Sequence, residues 1–152
     1  ISSAASDVYK RQLLYASRKH LDQNLLKPSL ASKKFVICDR YYDATEAYQC
    51  YGKGLSNDFF KSLNKVCNLS IPEITFYIDI TSEISKERIS NRERDRMEAE
   101  EIDFFNKVRE GYLKIAEENR ERIYKVNGID TIENIHKRIL EHVGEKIGSS
   151  LG

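Results

Sequence analysis

Cys38-Asp39-Arg40-Tyr41-Tyr42-Asp43-Ala44-Thr45-Glu46-Ala47-Tyr48-Gln49-Cys50-Tyr51-Gly52-Lys53-Gly54-Leu55 follows a short apolar run, Phe35-Val36-Ile37. The run reads as a buried strand of a parallel sheet. An Asp-Arg pair where such a strand ends points into the crevice where open α/β sheets bind ligands. Arg40 can fork onto a phosphate, and Asp39 can steer a metal-bound water or hold the arginine. Tyr41, Tyr48 and Gln49 then supply rings and an amide suited to a sugar and a flat base. The plain alternative for Asp39 and Arg40 is a structural ion pair at a strand end. Asp-Arg-Tyr alone does not separate the two.

The chain has 152 residues, enough for one domain with a modest core. Net charge is +1, so no global field draws it to nucleic acid or anionic membrane. No apolar run approaches the length of a membrane span. Cys38, Cys50 and Cys67 are an odd set without a CxxC pair. They read as reduced thiols of a cytosolic protein, not as a disulfide framework or a zinc site.

Leu13 to Leu30 reads as a helix whose apolar face carries Leu14, Leu21 and Leu25, widened by Leu26 and Leu30. Ser56 can cap a helix bearing Phe59, Phe60, Leu63, Val66 and Cys67. Ile74 to Ile80 is rich in β-branched and aromatic residues and reads as the best strand. Asp79 at its end reads as part of a cap for the next helix, Ile84 to Asn91, through Thr81 and Ser82. A charged run, Arg92-Glu93-Arg94-Asp95-Arg96, follows; such runs are usually solvated faces. Ile102, Phe105, Val108, Tyr112, Ile115 and Ala116 mark a long amphipathic helix, on which Arg109 reads as a structural or surface pairing. Arg122 to Val126 is a short strand, Asn127-Gly128 opens a loop, and Thr131 can cap a last helix with Ile135, Ile139 and Val143. This order argues for one α/β domain with a parallel sheet.

The opening stretch resembles the thymidylate kinase family, whose pattern is Asp-Arg-Tyr, then Ala-Tyr-Gln, then Gly-Tyr-Gly-Arg-Gly. Lys27-Pro28-Ser29-Leu30, Asp95-Arg96-Met97-Glu98 and Phe104-Phe105-x-x-Val108-Arg109-x-Gly111-Tyr112-Leu113 resemble further family motifs. The resemblance implies a P-loop NTPase-type parallel sheet with flanking helices. It implies that Arg40 clamps the phosphate of the nucleoside monophosphate and that Asp39 organises the magnesium region. Arg18, Thr45 and Gln49 would meet the thymine, and Tyr48 the deoxyribose. A ring stacking on thymine would fall on Leu14, whereas the chain offers Tyr15. Arg92, Arg94 and Arg96 sit where the family carries a mobile lid, so they become candidates for phosphoryl transfer. The loop at Asn127 would lie beside the adenine of ATP.

Two features set this chain apart. Ser2 to Gln12 resembles the translation of a transposase-end sequencing adapter, so residues 1–12 are expected to be a non-native tail. Residues 13–147 are then a partial kinase domain and 148–152 a second tail. The G-x-x-x-x-G-K-[ST] phosphate loop does not occur in residues 1–152. The sheet is therefore expected to be incomplete, lacking the first strands and that loop, and the chain to fold poorly and be inactive alone. The expected parent enzyme is a cytoplasmic homodimer that moves the γ-phosphoryl of ATP to dTMP with Mg2+, with no nucleic-acid or membrane partner. Alternatives are another P-loop nucleoside or nucleotide kinase, or a binding protein using the basic segment 86–96.

Overall fold

The computed structural model describes residues 3–90 and 99–150. The chain divides into two compact units, Ile1–Glu46 with Leu55–Ile71, and Ala47–Gly54 with Pro72–Gly152.

In the first unit, α1 (Ser3–Leu21) runs through a π-helical stretch, Asp22–Leu26, into α2 (Lys27–Ala31). Pro28 explains the π stretch. A proline inside a helix lacks the N–H for its i−4 bond and crowds that carbonyl. Widening the turn ahead of it lets the Lys27 N–H reach the Asp22 carbonyl five residues back. The helix ends at Lys33, which takes a left-handed φ of 55°. Lys34 N–H then closes back on the Ser29 carbonyl at 3.0 Å, a Schellman ending on a lysine instead of the usual glycine. Helix also reaches back to Ser3, beyond the expected start at Leu13. Extending an existing helix needs no new nucleus, and Ala4, Ala5, Lys10, Arg11 and Gln12 are good helix formers.

The face of this helix that packs is one position away from the expected one. Tyr15, Asp22 and Leu26 are buried, Leu14 and Leu21 are half-buried, and Leu25 is exposed. The reason is the partner. The packing surface comes from α4 (Asn57–Cys67), which offers the Phe60 ring and the Asn64 amide; Ser70, just beyond, adds a backbone N–H. A tyrosine and a carboxylate complement those groups better than leucines do. Ser56 holds the N-cap position of α4 but makes no capping bond through its side chain. Phe59 and Val66 point to solvent while Phe60 is buried.

The expected strand Phe35-Val36-Ile37 does not form. The segment is unpaired, with Phe35 82% and Ile37 100% exposed. Strand geometry is stabilised by a neighbour's hydrogen bonds, and among the described residues this segment has no such neighbour. It leads into α3 (Tyr42–Thr45) and a second π-helical stretch, Glu46–Gly52.

The second unit holds a parallel pair, β1 (Thr75–Asp79) and β2 (Ile123–Asn127), in register from Thr75↔Ile123 to Asp79↔Asn127. Side chains alternate across it. Thr75, Tyr77 and Asp79 turn toward α6 (Ala99–Glu118). Phe76 and Tyr124 turn toward α7 (Ile132–Ser150), where His142 meets the Tyr124 ring at 4.7 Å. The core is Ala47, Val108, Ile115, Ala116 and Ile123, ringed by Tyr48, Tyr51, Tyr77, Phe104 and Tyr112. Gly111 matters here because a Cβ on it would come within 2.6 Å of the Tyr51 ring. α5 (Ser82–Ser90) is headed by Thr81, and α7 continues to Ser150, past the expected end at 147.

Candidate functional site

Arg40 stands on the turn between the unpaired segment and α3. Its φ is 53°, in the left-handed region, and its side chain and that of Asp39 are exposed. A non-glycine there costs roughly 1–2 kcal/mol, and such strain concentrates at binding sites. Tyr41 follows at the N-cap of α3 and is buried, with the Arg18 guanidinium 5.8 Å from its ring centroid. Thr45, one helical turn on, is also buried, and its hydroxyl makes no hydrogen bond to any described residue.

Asp22, in the same unit, is fully buried. It accepts the Ser70 N–H at 3.0 Å and lies 3.0 Å from the Lys27 ammonium. In an α-helix residues five apart point in different directions; the π turn brings Lys27 over Asp22. Burial would raise the pKa of Asp22, but the Ser70 and Lys27 contacts outweigh it and hold the carboxyl below its ordinary value. Burial first, then the Asp22 charge, push the Tyr41 hydroxyl up to about 12, and Arg18 pulls the other way. Tyr15 is occupied differently. Its ring packs edge-on against Phe60 at 6.1 Å and its hydroxyl donates to Asn64 at 3.1 Å.

In the second unit Tyr48 sits in the π stretch, edge-to-face with Phe104 at 6.0 Å and Tyr112 at 6.4 Å; Gln49 beside it is half-buried. At the carboxyl end of β1, the Arg109 Nε and Nη2 donate to the two Asp79 oxygens at 2.7 and 3.0 Å. The Tyr77 hydroxyl donates to the same carboxylate at 3.0 Å. The Asp79 carbonyl accepts the Gly128 N–H at 2.9 Å, tying the Asn127–Gly128 loop to the strand end. Only glycine fits at 128, since a Cβ would come within 2.4 Å of Ile80. Asn127 is exposed, and its side-chain oxygen accepts the Ile129 N–H at 3.0 Å. Arg92, Arg94 and Arg96 lie outside the described residues.

The family model for thymidylate kinase matches residues 2–139. The chain belongs to the thymidylate kinase family. Among its relatives, thymidylate kinase of Pelodictyon phaeoclathratiforme is 37% identical over 150 residues, covering 91% of this chain and 69% of that protein. The enzyme of that name from Sulfurihydrogenibium is 40% identical over 136 residues, covering 88% and 66%. The crystal structure of thymidylate kinase from Ehrlichia chaffeensis superposes with a TM-score of 0.72 at 29% identity, covering 90% of this chain and 66% of that one. The chain thus spans about two thirds of the length of the thymidylate kinases it matches.

Of the residues singled out on the thymidylate kinase pattern, Arg18 and Thr45 fall in the first unit with Arg40, and Tyr48 and Gln49 in the second. The cap expected here through Thr81 and Ser82 is made by Thr81, which accepts the Ile84 N–H at 3.4 Å, while Asp79 itself pairs with Arg109. The structural pairing expected of Arg109 is what the structure has. Asp22 was missed. The signal for it was a carboxylate one helical turn after Arg18, embedded among Leu21, Leu25 and Leu26.

Proposed function

We propose that this chain is the monophosphate-binding part of an enzyme that moves the γ-phosphoryl group of ATP to dTMP, giving dTDP for dTTP synthesis. Family membership supports the reaction class. The observation that carries the reading is Arg40, an exposed guanidinium on strained left-handed backbone at the turn before α3. A planar fork held there suits a phosphate. The buried Thr45 hydroxyl, without a hydrogen-bond partner among the described residues, suits a base edge, because such a group costs free energy until a ligand completes it. The family resemblance gives Arg18 and Gln49 to the thymine and Tyr48 to the deoxyribose, and offers Tyr15 as the stacking ring. A side chain filling the space beside the sugar would disfavour a ribose 2′-hydroxyl.

Catalysis in this reading is positioning and charge stabilisation, without a covalent intermediate. Arg92, Arg94 and Arg96 would gather charge on the transferring group, and Asn127 would lie near the adenine. Among the described residues no group of three His, Cys, Asp or Glu could hold a metal ion. That suits Mg2+ arriving with ATP, since Mg2+ is commonly held by one or two carboxylates and the substrate phosphates. Asp39 is the residue that would hold it, directly or through water, and the ion would offset charge on the phosphates. We read the complete enzyme as a cytoplasmic homodimer, in line with its reduced thiols; among the described residues no helix is long and apolar enough to cross a membrane.

Calorimetric titration of this chain with dTMP tests the reading. Saturable binding is expected, falling at least about tenfold in Arg40→Met, the loss of one charge-assisted contact. Equal binding by the two proteins, or none by either, overturns it.

A further inference from the structure

Tyr48 is the ring set against the deoxyribose, and it is held by rings to which the proposed function gives no part. It stands on the π stretch Glu46–Gly52 and is half-buried. It meets Phe104 at 6.0 Å with the planes 64° apart and Tyr112 at 6.4 Å with the planes 85° apart. Both are edge-to-face contacts, an arrangement that ring quadrupoles favour. Tyr112 has a second ring neighbour: it stacks on Tyr77 at 4.8 Å with an interplanar angle of 11°. Tyr77 in turn is tied at its tip. Its hydroxyl donates to Asp79 at 3.0 Å, and Asp79 is held by the fork from Arg109.

These contacts share one register. Tyr77 and Asp79 alternate onto one face of β1. Arg109 and Tyr112 are neighbours on one face of α6, a helical turn apart. The Arg109–Asp79 ion pair therefore fixes α6 along β1 at the offset that lays Tyr112 on Tyr77. Gly52 seats the π stretch on the same helix, since a Cβ there would come within 2.7 Å of the Phe104 ring. From the strand end to Tyr48, every link is a direct contact within one unit.

We infer that Tyr112 is a positioning residue: stacked on Tyr77, it sets the plane of the Tyr48 ring and so the space left beside the sugar. The inference rests on the dTMP reading above and adds a residue to it. Rejecting one hydroxyl requires a wall that does not yield, and a ring free to turn about its side-chain bonds would yield. A leucine at 112 would fill the same place yet offer no flat face to Tyr77 or to Tyr48.

Titration of this chain with dTMP and with its ribose counterpart, ribothymidine 5′-monophosphate, tests the inference through the ratio of the two affinities. The native chain is expected to prefer dTMP by at least about tenfold. Tyr112→Leu should lower that preference to about threefold or less. Tyr112→Phe keeps both ring contacts and should leave the ratio as it is. Tyr77→Leu leaves Tyr112 in place but unstacked and should lower the ratio in the same way, so it decides the matter if Tyr112→Leu does not fold. Tyr48→Leu combined with Tyr112→Leu should be no less selective than Tyr48→Leu alone. A packing role alone would weaken both nucleotides equally and leave the ratio untouched in Tyr112→Leu. That result, with Tyr48→Leu still lowering the ratio, overturns the inference and spares the dTMP reading. A native chain without preference, or a ratio that Tyr48→Leu leaves unchanged, removes the sugar contact itself and overturns both.

Discussion

Arg40 carries a conformational cost that glycine would remove. A left-handed backbone is open to glycine and unfavourable to every side chain with a Cβ. Arg40→Gly is therefore expected to raise the stability of the chain by about 1 kcal/mol in denaturant unfolding, while removing dTMP binding. A loss of stability would show that the guanidinium holds the turn together instead of serving a ligand. Asp79 makes the opposite case, a charge kept for structure. Burial would raise its pKa, but the fork from Arg109 and the Tyr77 hydroxyl outweigh burial and hold it below the ordinary carboxylate value. A depressed folded-state pKa gives stability that is complete above the unfolded value, near 3.9, and is lost as pH falls through the folded one. Asp79→Asn should cost about 1–3 kcal/mol at pH 7, and the gap to the native protein should close as pH falls below the ordinary carboxylate range. A gap unchanged with pH would mean that packing, and not the ion pair, is what the substitution damages.

At the scale of elements, the sequence was most legible where periodicity met a simple partner. The helix at Ile102 to Ala116 packs largely as its apolar spacing says, with Val108, Ile115 and Ala116 in the core, but Phe105 is exposed and its neighbour Phe104 packs against the core instead. Residues 13 to 30 were recognisable as helix but not in their rotation. Leucine spacing named Leu25, and packing took Asp22, because the surface across from it presents an amide and a backbone N–H that no reading of one segment contains. The two π stretches were invisible for a related reason: widening by one residue leaves composition untouched. Gly111 offers a test at this scale. On α6 it makes room for the Tyr51 ring, and a methyl there would meet Tyr51 Cβ and Cγ at 2.7 and 2.6 Å. Gly111→Ala gains helix propensity of about 1 kcal/mol and forces the ring aside, an overpacking cost of about 1–3 kcal/mol. A net loss of thermal stability is expected, with Tyr51→Ala in the same chain turning the Gly111→Ala change favourable.

At the scale of the whole molecule, sheet formation is decided by neighbours and not by the strand alone. Ile74 to Ile80 and Arg122 to Val126 were legible because each finds the other, and they pair in parallel within a residue of the expected bounds. Phe35-Val36-Ile37 has the same β-branched and aromatic character, yet it stands unpaired with Phe35 and Ile37 in water. Among the described residues β1 also pairs with β2 alone, which leaves backbone donors and acceptors along its other edge. An unpaired apolar segment and an open strand edge in one chain are complementary to those of another copy. The chain is therefore expected to self-associate in a concentration-dependent way through these backbones. Ile37→Lys places a charge on the segment without touching any packed residue, so it should delay light scattering on warming while leaving the unfolding midpoint within about 0.5 kcal/mol of the native protein. A control charge at exposed Val66, on a helix that has no backbone to offer, should leave the scattering onset nearly unchanged. If Val66→Lys and Ile37→Lys delay it equally, apolar surface drives the association. If only Ile37→Lys does, strand pairing drives it, and the segment that failed to become a strand within one copy is one that becomes a strand between two.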